Sequence, residues 1–379
     1  MKWPGWRFLW SRLWVFDPVL LALLTLLTAV GMATLYSAVG GGDGRFADQS
    51  RNFGLALLVM WLVAQASPQV LQRVAPPVYL LGVVLLVAVE LVGDTRQGAQ
   101  RWLDLGVVSL QPSELMKIAM PMMLAWYFHR REGVLRWRDF LVAALLLAVP
   151  FLLIVKQPDL GTALLVFGAG FFVIFFAGLS FGLLVPIAAL GTALVVGVLV
   201  FQDTLCAPDF DWQVLHDYQK NRVCTLLDPT ADPLGRGFHT IQSSIAIGSG
   251  GLLGKGFMAG TQSQLDFVPE RTTDFIFAVF AEEHGLVGGV VLLVLYLLVL
   301  VRGLMIAAAA PTTFTRLLAA AVTMVFFIYA FVNVGMVIGI LPVVGVPLPF
   351  MSYGGTALIT LGVAAGLLMT IHRHRIKRN

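Results

Sequence analysis

Asp274 stands in Pro269-Glu270-Arg271-Thr272-Thr273-Asp274-Phe275-Ile276-Phe277, at the seam between a polar stretch, residues 202–273, and a long apolar run. That spacing puts a carboxylate where water meets lipid, beside a segment long enough to fold over it. A charge so placed can act on the head group of a lipid-borne substrate, as a general base or as an orienting carboxylate. The alternative is an N-cap for the helix that follows. Four other charged residues interrupt apolar or boundary sequence. Glu114 and Lys117 are three apart in Gln111-Pro112-Ser113-Glu114-Leu115-Met116-Lys117, on one face of a helix opened by Pro112. A lone charge in lipid costs about 3 kcal/mol or more, so the two are expected to pair beside a cavity, as a structural ion pair or with Lys117 meeting a substrate phosphate. Arg101, in Gly98-Ala99-Gln100-Arg101-Trp102-Leu103, is a candidate pyrophosphate contact, because a guanidinium grips phosphate oxygens in a fork, and equally a head-group anchor. Asp159, in Gln157-Pro158-Asp159-Leu160-Gly161-Thr162, falls where a helix starts after a turn and is either its cap or a substrate contact.

Further candidates carry weaker chemistry. Glu282 and Glu283 lie two turns beyond Asp274 and, in a regular helix, on other faces, so they are expected as buried structural partners. The segment Ile245-Ala246-Ile247-Gly248-Ser249-Gly250-Gly251-Leu252-Leu253-Gly254-Lys255-Gly256 has backbone N–H groups free to approach an anion. It is either a phosphate or sugar lid or a close-packed re-entrant segment, and it is not a P-loop, since Gly256 follows Lys255. Residues 339–355 are apolar but broken by Pro342, Pro347 and Pro349, and they can deliver Ser352 and Tyr353 to the outer face. Asn333 needs a hydrogen-bonding partner at membrane depth and is expected in helix packing. Cys206 and Cys224 both fall in the 202–273 stretch, either as a disulfide or as two free thiols.

These residues need a scaffold in lipid. Hydrophobic residues make up 58% of the chain and charged residues 12%, and the mean hydropathy is +0.86, which excludes a soluble globular domain. Repeated runs near the length that crosses the hydrocarbon predict an all-α polytopic membrane protein of about ten spans rather than a barrel. The expected spans are residues 18–38, 52–66, 78–93, 112–128, 140–155, 162–178, 181–201, 274–301, 316–340 and 355–371, in one domain covering residues 1–379. Residues 202–273 then form a large extracytoplasmic loop between spans seven and eight. Basic residues before the first span, in the fourth connection (Arg130, Arg131, Arg136, Arg138) and in the tail 372–379 put both ends in the cytoplasm by the positive-inside rule. Trp3, Trp6, Trp10 and Trp14 suit an interfacial segment over residues 1–17 and a retained first span. The net charge of +4 arises mainly from these ends, which speaks for membrane orientation and against nucleic acid.

The sequences GAQRWLDLG, QPSELMK, QPDLGT, LDPTADPLGRGFHTIQSSIAIGSGGLLGKGF, PERTTDFIFAVFAEEHG and LPVVGVPLPFMSYGG resemble those of the SEDS proteins (shape, elongation, division and sporulation), from the first span to the last. GTQSQLDFVPERTTDF is more similar to the elongation branch than to the division branch. The resemblance implies a ten-helix enzyme of the bacterial cytoplasmic (inner) membrane that polymerises lipid II into peptidoglycan glycan strands. It would hold lipid II and the nascent strand, and work with a class B penicillin-binding protein and other membrane proteins of the elongation complex. It also implies that Asp274 is the essential acidic residue of the large loop, and that Glu114 and Lys117 are the family's charged pair. Such a transfer needs one base for the acceptor hydroxyl and positive charge for the departing pyrophosphate, which leaves unprotonated. Lys117, Arg101 or a divalent cation such as Mg2+ or Mn2+ can supply that charge. Two rival classes remain: a lipid II flippase, for which the sequence shows no matching interrupted helices in two halves, and a non-enzymatic scaffold for a wall synthase.

Overall fold

The computed structural model describes residues 15–375, apart from 43, 97–98, 105, 107–108, 132, 134, 208–216, 236 and 266. The expected tryptophan-rich interfacial segment (Trp3, Trp6, Trp10, Trp14) and the end of the basic tail lie outside the described residues. Ten long helices carry the described fold: α1 (Pro18–Ala38), α2 (Gly44–Ala64), α3 (Pro68–Val92), α4 (Pro112–Arg130), α5 (Trp137–Lys156), α6 (Leu160–Phe176), α7 (Phe181–Val200), α12 (Ile276–Ala308), α13 (Thr313–Val337) and α14 (Gly355–Arg373). Seven are long and apolar enough to cross a membrane by length and composition alone. The others are α6, with 17 residues, and α2 and α4, whose sequences carry more polar side chains.

Local sequence sets the helix starts. Asp17 caps α1 by accepting from the Leu20 N–H at 2.7 Å, Ser67 precedes Pro68 at the start of α3, and Thr312 with Thr315 forms a capping box on α13. The two helix starts that differ most from expectation do so for a physical reason. α2 starts at Gly44 rather than 52, because its polar first turns are held by partners from other elements. α3 starts at Pro68 rather than 78 and runs through Pro76 and Pro77, which remove two backbone donors from the helix but leave its packing against α4 intact. α13 and α14 form the buried centre. Gly362 and Gly366, one turn apart on α14, let it approach α2 so closely that a Cβ at either would lie 2.7 Å or 2.8 Å from the carbonyl oxygens of Ala56 and Met60. In contrast, α7 has no buried residue and stands off the bundle.

Between α3 and α4 the chain forms a three-stranded antiparallel sheet in the order β1-β2-β3, with β1 Asp94–Arg96, β2 Ala99–Asp104 and β3 Ser109–Leu110. The hydropathy pattern had no signal for it. The 202–273 segment is itself helical, with α8 (Gln202–Leu205), α9 (Asp217–Leu227), α10 (Phe238–Gly250) and α11 (Thr261–Gln264). A Cys206–Cys224 disulfide joins the turn after α8 to α9.

The Gly-rich segment is structural. α12 is broken at Gly285 (φ 65°, ψ −165°), nine residues after its start. Residues 251–256 complete the interrupted ladder. The N–H groups of Lys255 and Gly256 donate to the carbonyls of Glu282 and Glu283 at 3.1 and 3.0 Å, and the N–H groups of Leu286 and Val287 donate to Gly251 and Leu252 at 2.9 and 3.1 Å. Glu282, fully buried, accepts from Lys255 Nζ (2.7 Å) and from the N–H groups of Gln262 (2.8 Å) and Ser263 (3.1 Å). Glu283 accepts from the Ser37 hydroxyl of α1. The two glutamates are therefore struts of the 202–273 segment, buried as expected, and the inserted loop closes the helix break rather than forming a lid over an anion.

Candidate functional site

One end of the bundle gathers Asp274, Arg101, Asp159 and, from α9, Arg222. Asp274 lies in a turn just before α12, whose cap position is Phe275 with no side-chain cap bond, so a capping role for the Asp274 carboxylate is ruled out. Its backbone is pinned from three sides. Asn333 Nδ2 on α13 donates to the Asp274 carbonyl (2.8 Å) and to the Val346 carbonyl (2.7 Å), so the expected packing role of Asn333 is to join these two segments. Ser352 Oγ donates to the Thr273 carbonyl at 2.6 Å, and the Tyr353 N–H donates to Thr272 at 2.8 Å. Gln49, on the early turns of α2, donates to the Ser352 carbonyl and accepts from the Gly354 N–H. The proline-broken 339–355 segment thus delivers Ser352 and Tyr353 to the site through backbone contacts. Gly345, at φ 72°, faces the carboxylate so closely that a Cβ there would lie 3.3 Å from Asp274 Oδ2.

The Asp274 carboxylate accepts no hydrogen bond from the described residues. Burial pushes its pKa up to about 6; Glu270 adds to the rise and Arg222 opposes it. Burial and the neighbouring Arg101 hold Arg222 down, to about 10, against the pull of Asp159 and Asp274. The four groups therefore share one electrostatic neighbourhood. Arg222 also lines a cavity of about 420 Å³, with Asn221, Thr225, Thr240 and the Leu341–Val343 stretch.

β2 presents Arg101 to the turn before α6. Its guanidinium donates to the Pro158 carbonyl at 2.8 Å and approaches Asp159 Oδ1 at 4.0 Å, while its buried Nε–H has no partner among the described residues. Asp159 caps α6, accepting from the Thr162 N–H (3.1 Å), and also accepts from Gln111 Nε2 (3.1 Å). It thus orients Arg101 as well as starting a helix. Lys117 and Glu114 pair as their spacing predicts, at 2.6 Å. Lys117 is 2% exposed and also donates to Tyr329 Oη at 2.7 Å, while Glu114 accepts from Thr360 Oγ1 at 2.9 Å. Tyr329 is one turn from Asn333 on α13, so this ion pair forms a layer directly beneath the Asp274 turn.

Two residues at the site have no distinctive local pattern. Arg222 is one cation in a polar stretch, and only the folding of α9 over the bundle brings it to Asp274. His239 stacks on Phe275 with ring centroids 5.6 Å apart, its Nδ1 is buried without a partner among the described residues, and burial lowers its pKa. No group of three or more His, Cys, Asp and Glu that could hold a metal ion occurs among the described residues.

The chain matches the family described as "Cell cycle protein", FtsW/RodA/SpoVE, over residues 13–377. It is 47% identical to the peptidoglycan glycosyltransferase MrdB of Escherichia coli (strain K12), over 98% of this chain and 97% of that protein. It is 33% identical to stage V sporulation protein E of Bacillus subtilis (strain 168), over 94% and 97%. Among solved structures it resembles the rod shape determining protein RodA of Thermus thermophilus, with a TM-score of 0.70, 31% identity and coverage of 96% and 98%. A chain of a peptidoglycan synthase complex coordinating polymerization and crosslinking gives 0.78, 36%, 96% and 99%. With helix order, motifs and whole-length similarity in agreement, the chain belongs to the FtsW/RodA/SpoVE family of multi-pass membrane proteins.

Proposed function

We propose that this protein is a peptidoglycan glycosyltransferase that polymerises lipid II, with Asp274 as the carboxylate acting on the acceptor hydroxyl. The observation that carries the reading is the Asp274 turn. Its backbone is fixed by Asn333, Ser352 and Tyr353, while its carboxylate accepts no hydrogen bond from the described residues and is coupled to Arg222, which lines a cavity of about 420 Å³. A base of pKa about 6 is ionised at neutral pH and still strong enough to take a proton as the bond forms.

In the transfer, the acceptor oxygen attacks C1 of the donor sugar and its proton passes to Asp274. The C1–O bond breaks toward the pyrophosphate, which departs with the electron pair. Arg222 and Arg101 are the chain's own cations for that charge, Arg101 being held in orientation by Asp159 and Pro158. Lys117 and Glu114 support the turn from below, and their mutual pairing fits an electrostatic and positioning role better than direct contact. Both termini are assigned to the cytoplasm and the Asp274 end to the outer leaflet of the bacterial inner membrane, on the basic residues that flank the opposite end. The partner is a crosslinking class B penicillin-binding protein, consistent with the synthase complex that the fold resembles.

The test is polymerisation of purified lipid II by the complex with its transpeptidase partner, with and without chelator, using wild type and Asp274→Asn. The variant is expected to fold, bind the partner and make no polymer. Normal polymer from the variant would remove the assignment, and transbilayer movement of labelled lipid II without polymer would favour a flippase. The chelator arm decides whether a divalent ion travels with the substrate's phosphates.

A further inference from the structure

At the end of the bundle remote from Asp274, the N-terminal face of α3 and the last turns of α4 flank an open cavity of about 460 Å³ lined by Gln69, Gln72, Arg73, Pro76, Pro77, Trp126 and Arg130. Gln69, Gln72, Arg73 and Pro76 follow the i, i+3, i+4, i+7 spacing of one helix face, so a mostly polar stripe of α3 lines the cavity. Counting about 20 residues back from Val92, the length that crosses the hydrocarbon, reaches Arg73, so the stripe lies at head-group level. The Arg130 guanidinium sits 5.7 Å from the Trp126 ring centre, an indole–cation pair of the kind that marks the membrane interface. Pro76 and Pro77 carry no N–H, so the carbonyls of Gln72 and Arg73 lose their helical donors on the wall of the same cavity.

We propose that this cavity is a binding site for the head group of a glycerophospholipid that bears both a phosphate and a hydrogen-bond donor. The phosphate fits between the guanidinium groups of Arg73 and Arg130, which reach it from two different helices. The donor, a glycerol hydroxyl or an ammonium, satisfies the carbonyls that the two prolines leave open. The acyl chains then lie along the apolar exterior of α3, where Leu80, Leu81 and Val84 are exposed. The site is independent of the Asp274 chemistry and stands or falls separately from it.

Purified full-length protein is exchanged into nanodiscs of phosphatidylglycerol, phosphatidylethanolamine or phosphatidylcholine. Retained lipid is counted by native mass spectrometry, and melting is followed in parallel. Phosphatidylglycerol and phosphatidylethanolamine are expected to be retained over phosphatidylcholine, which has the phosphate but no donor, and to raise the melting temperature. Arg73→Gln with Arg130→Gln is expected to lower that retention about tenfold while melting as wild type does in phosphatidylcholine. Equal retention of phosphatidylcholine by the wild type overturns the proposal without recourse to any variant, and so does unchanged retention by the double variant. An equal melting shift with soluble glycerol phosphate would show a free-phosphate site and overturn the lipid assignment.

Discussion

Asp274 combines a fixed backbone with a buried carboxylate that accepts no hydrogen bond from the described residues, and both features have measurable consequences. Its pKa is raised from 3.8 to about 6, so the folded protein holds this proton more tightly than the unfolded chain. The stabilisation by the proton is complete below pH 3.8 and is lost as the pH rises through 6. Above that, the ionised group costs at most about 3 kcal/mol, less what solvent screens. Asp274→Asn is therefore expected to melt about 2–4 °C above wild type at about pH 8, with the gap closing in acid, while polymerisation falls about a hundredfold or more. Wild-type activity should decline as the pH drops through about 6, where the base becomes protonated. Arg222 lowers the Asp274 pKa, so Arg222→Gln should move that acid limb to higher pH and cut turnover about a hundredfold through the leaving group. A pH–rate profile of lipid II polymerisation reads both effects. The place of Asp274 just before an apolar helix and the pairing of Glu114 with Lys117 were legible in the sequence, because position at a boundary and spacing along one helix are local properties. Arg222 and His239 were not, since what matters in them is the element that each packs against.

At the scale of elements, the break in α12 and the loop that completes it form one unit. Gly254 and Gly285 both have positive φ, and a Cβ on Gly285 would lie 2.4 Å from the Gly254 nitrogen. Gly285→Ala should therefore cost about 3 kcal/mol, visible as a lower melting temperature or lost folded yield. Gly289→Ala, four residues on, meets nothing closer than 4.0 Å and should be tolerated. The long apolar run after Asp274 was legible in the sequence. That the run is two helices bridged by a loop about thirty residues earlier in the chain was not, because the hydrogen bonds that heal the break come from outside the segment. The small sheet that aims Arg101 escaped for a similar reason: its strands pair with one another, without the long apolar period that reveals a span.

Across the whole molecule, the bundle is asymmetric. α13 and α14 are packed at the centre, while α7 keeps no buried side chain and connects through α8 and the Cys206–Cys224 disulfide to α9, which bears Arg222. Replacing both cysteines by serine, or reducing the bond, should lower stability by about 3 kcal/mol for a loop of 18 residues and slow polymerisation severalfold, since Cys224 is two residues from Arg222. A thermal melt and a polymerisation assay, each with and without reductant, measure the two effects. The sequence alone determined that the chain lives in lipid and crosses it with about ten helices, and it located the charges that interrupt those helices. Hydrocarbon enforces these features on every segment, through internal backbone hydrogen bonding and the cost of burying charge. Only the tertiary structure decided which charges meet, which glutamates are struts and which carboxylate is buried beside Arg222. Hydrogen bonds and Coulomb forces act over a few ångströms between residues far apart in the chain, and the packing of the helices sets those distances.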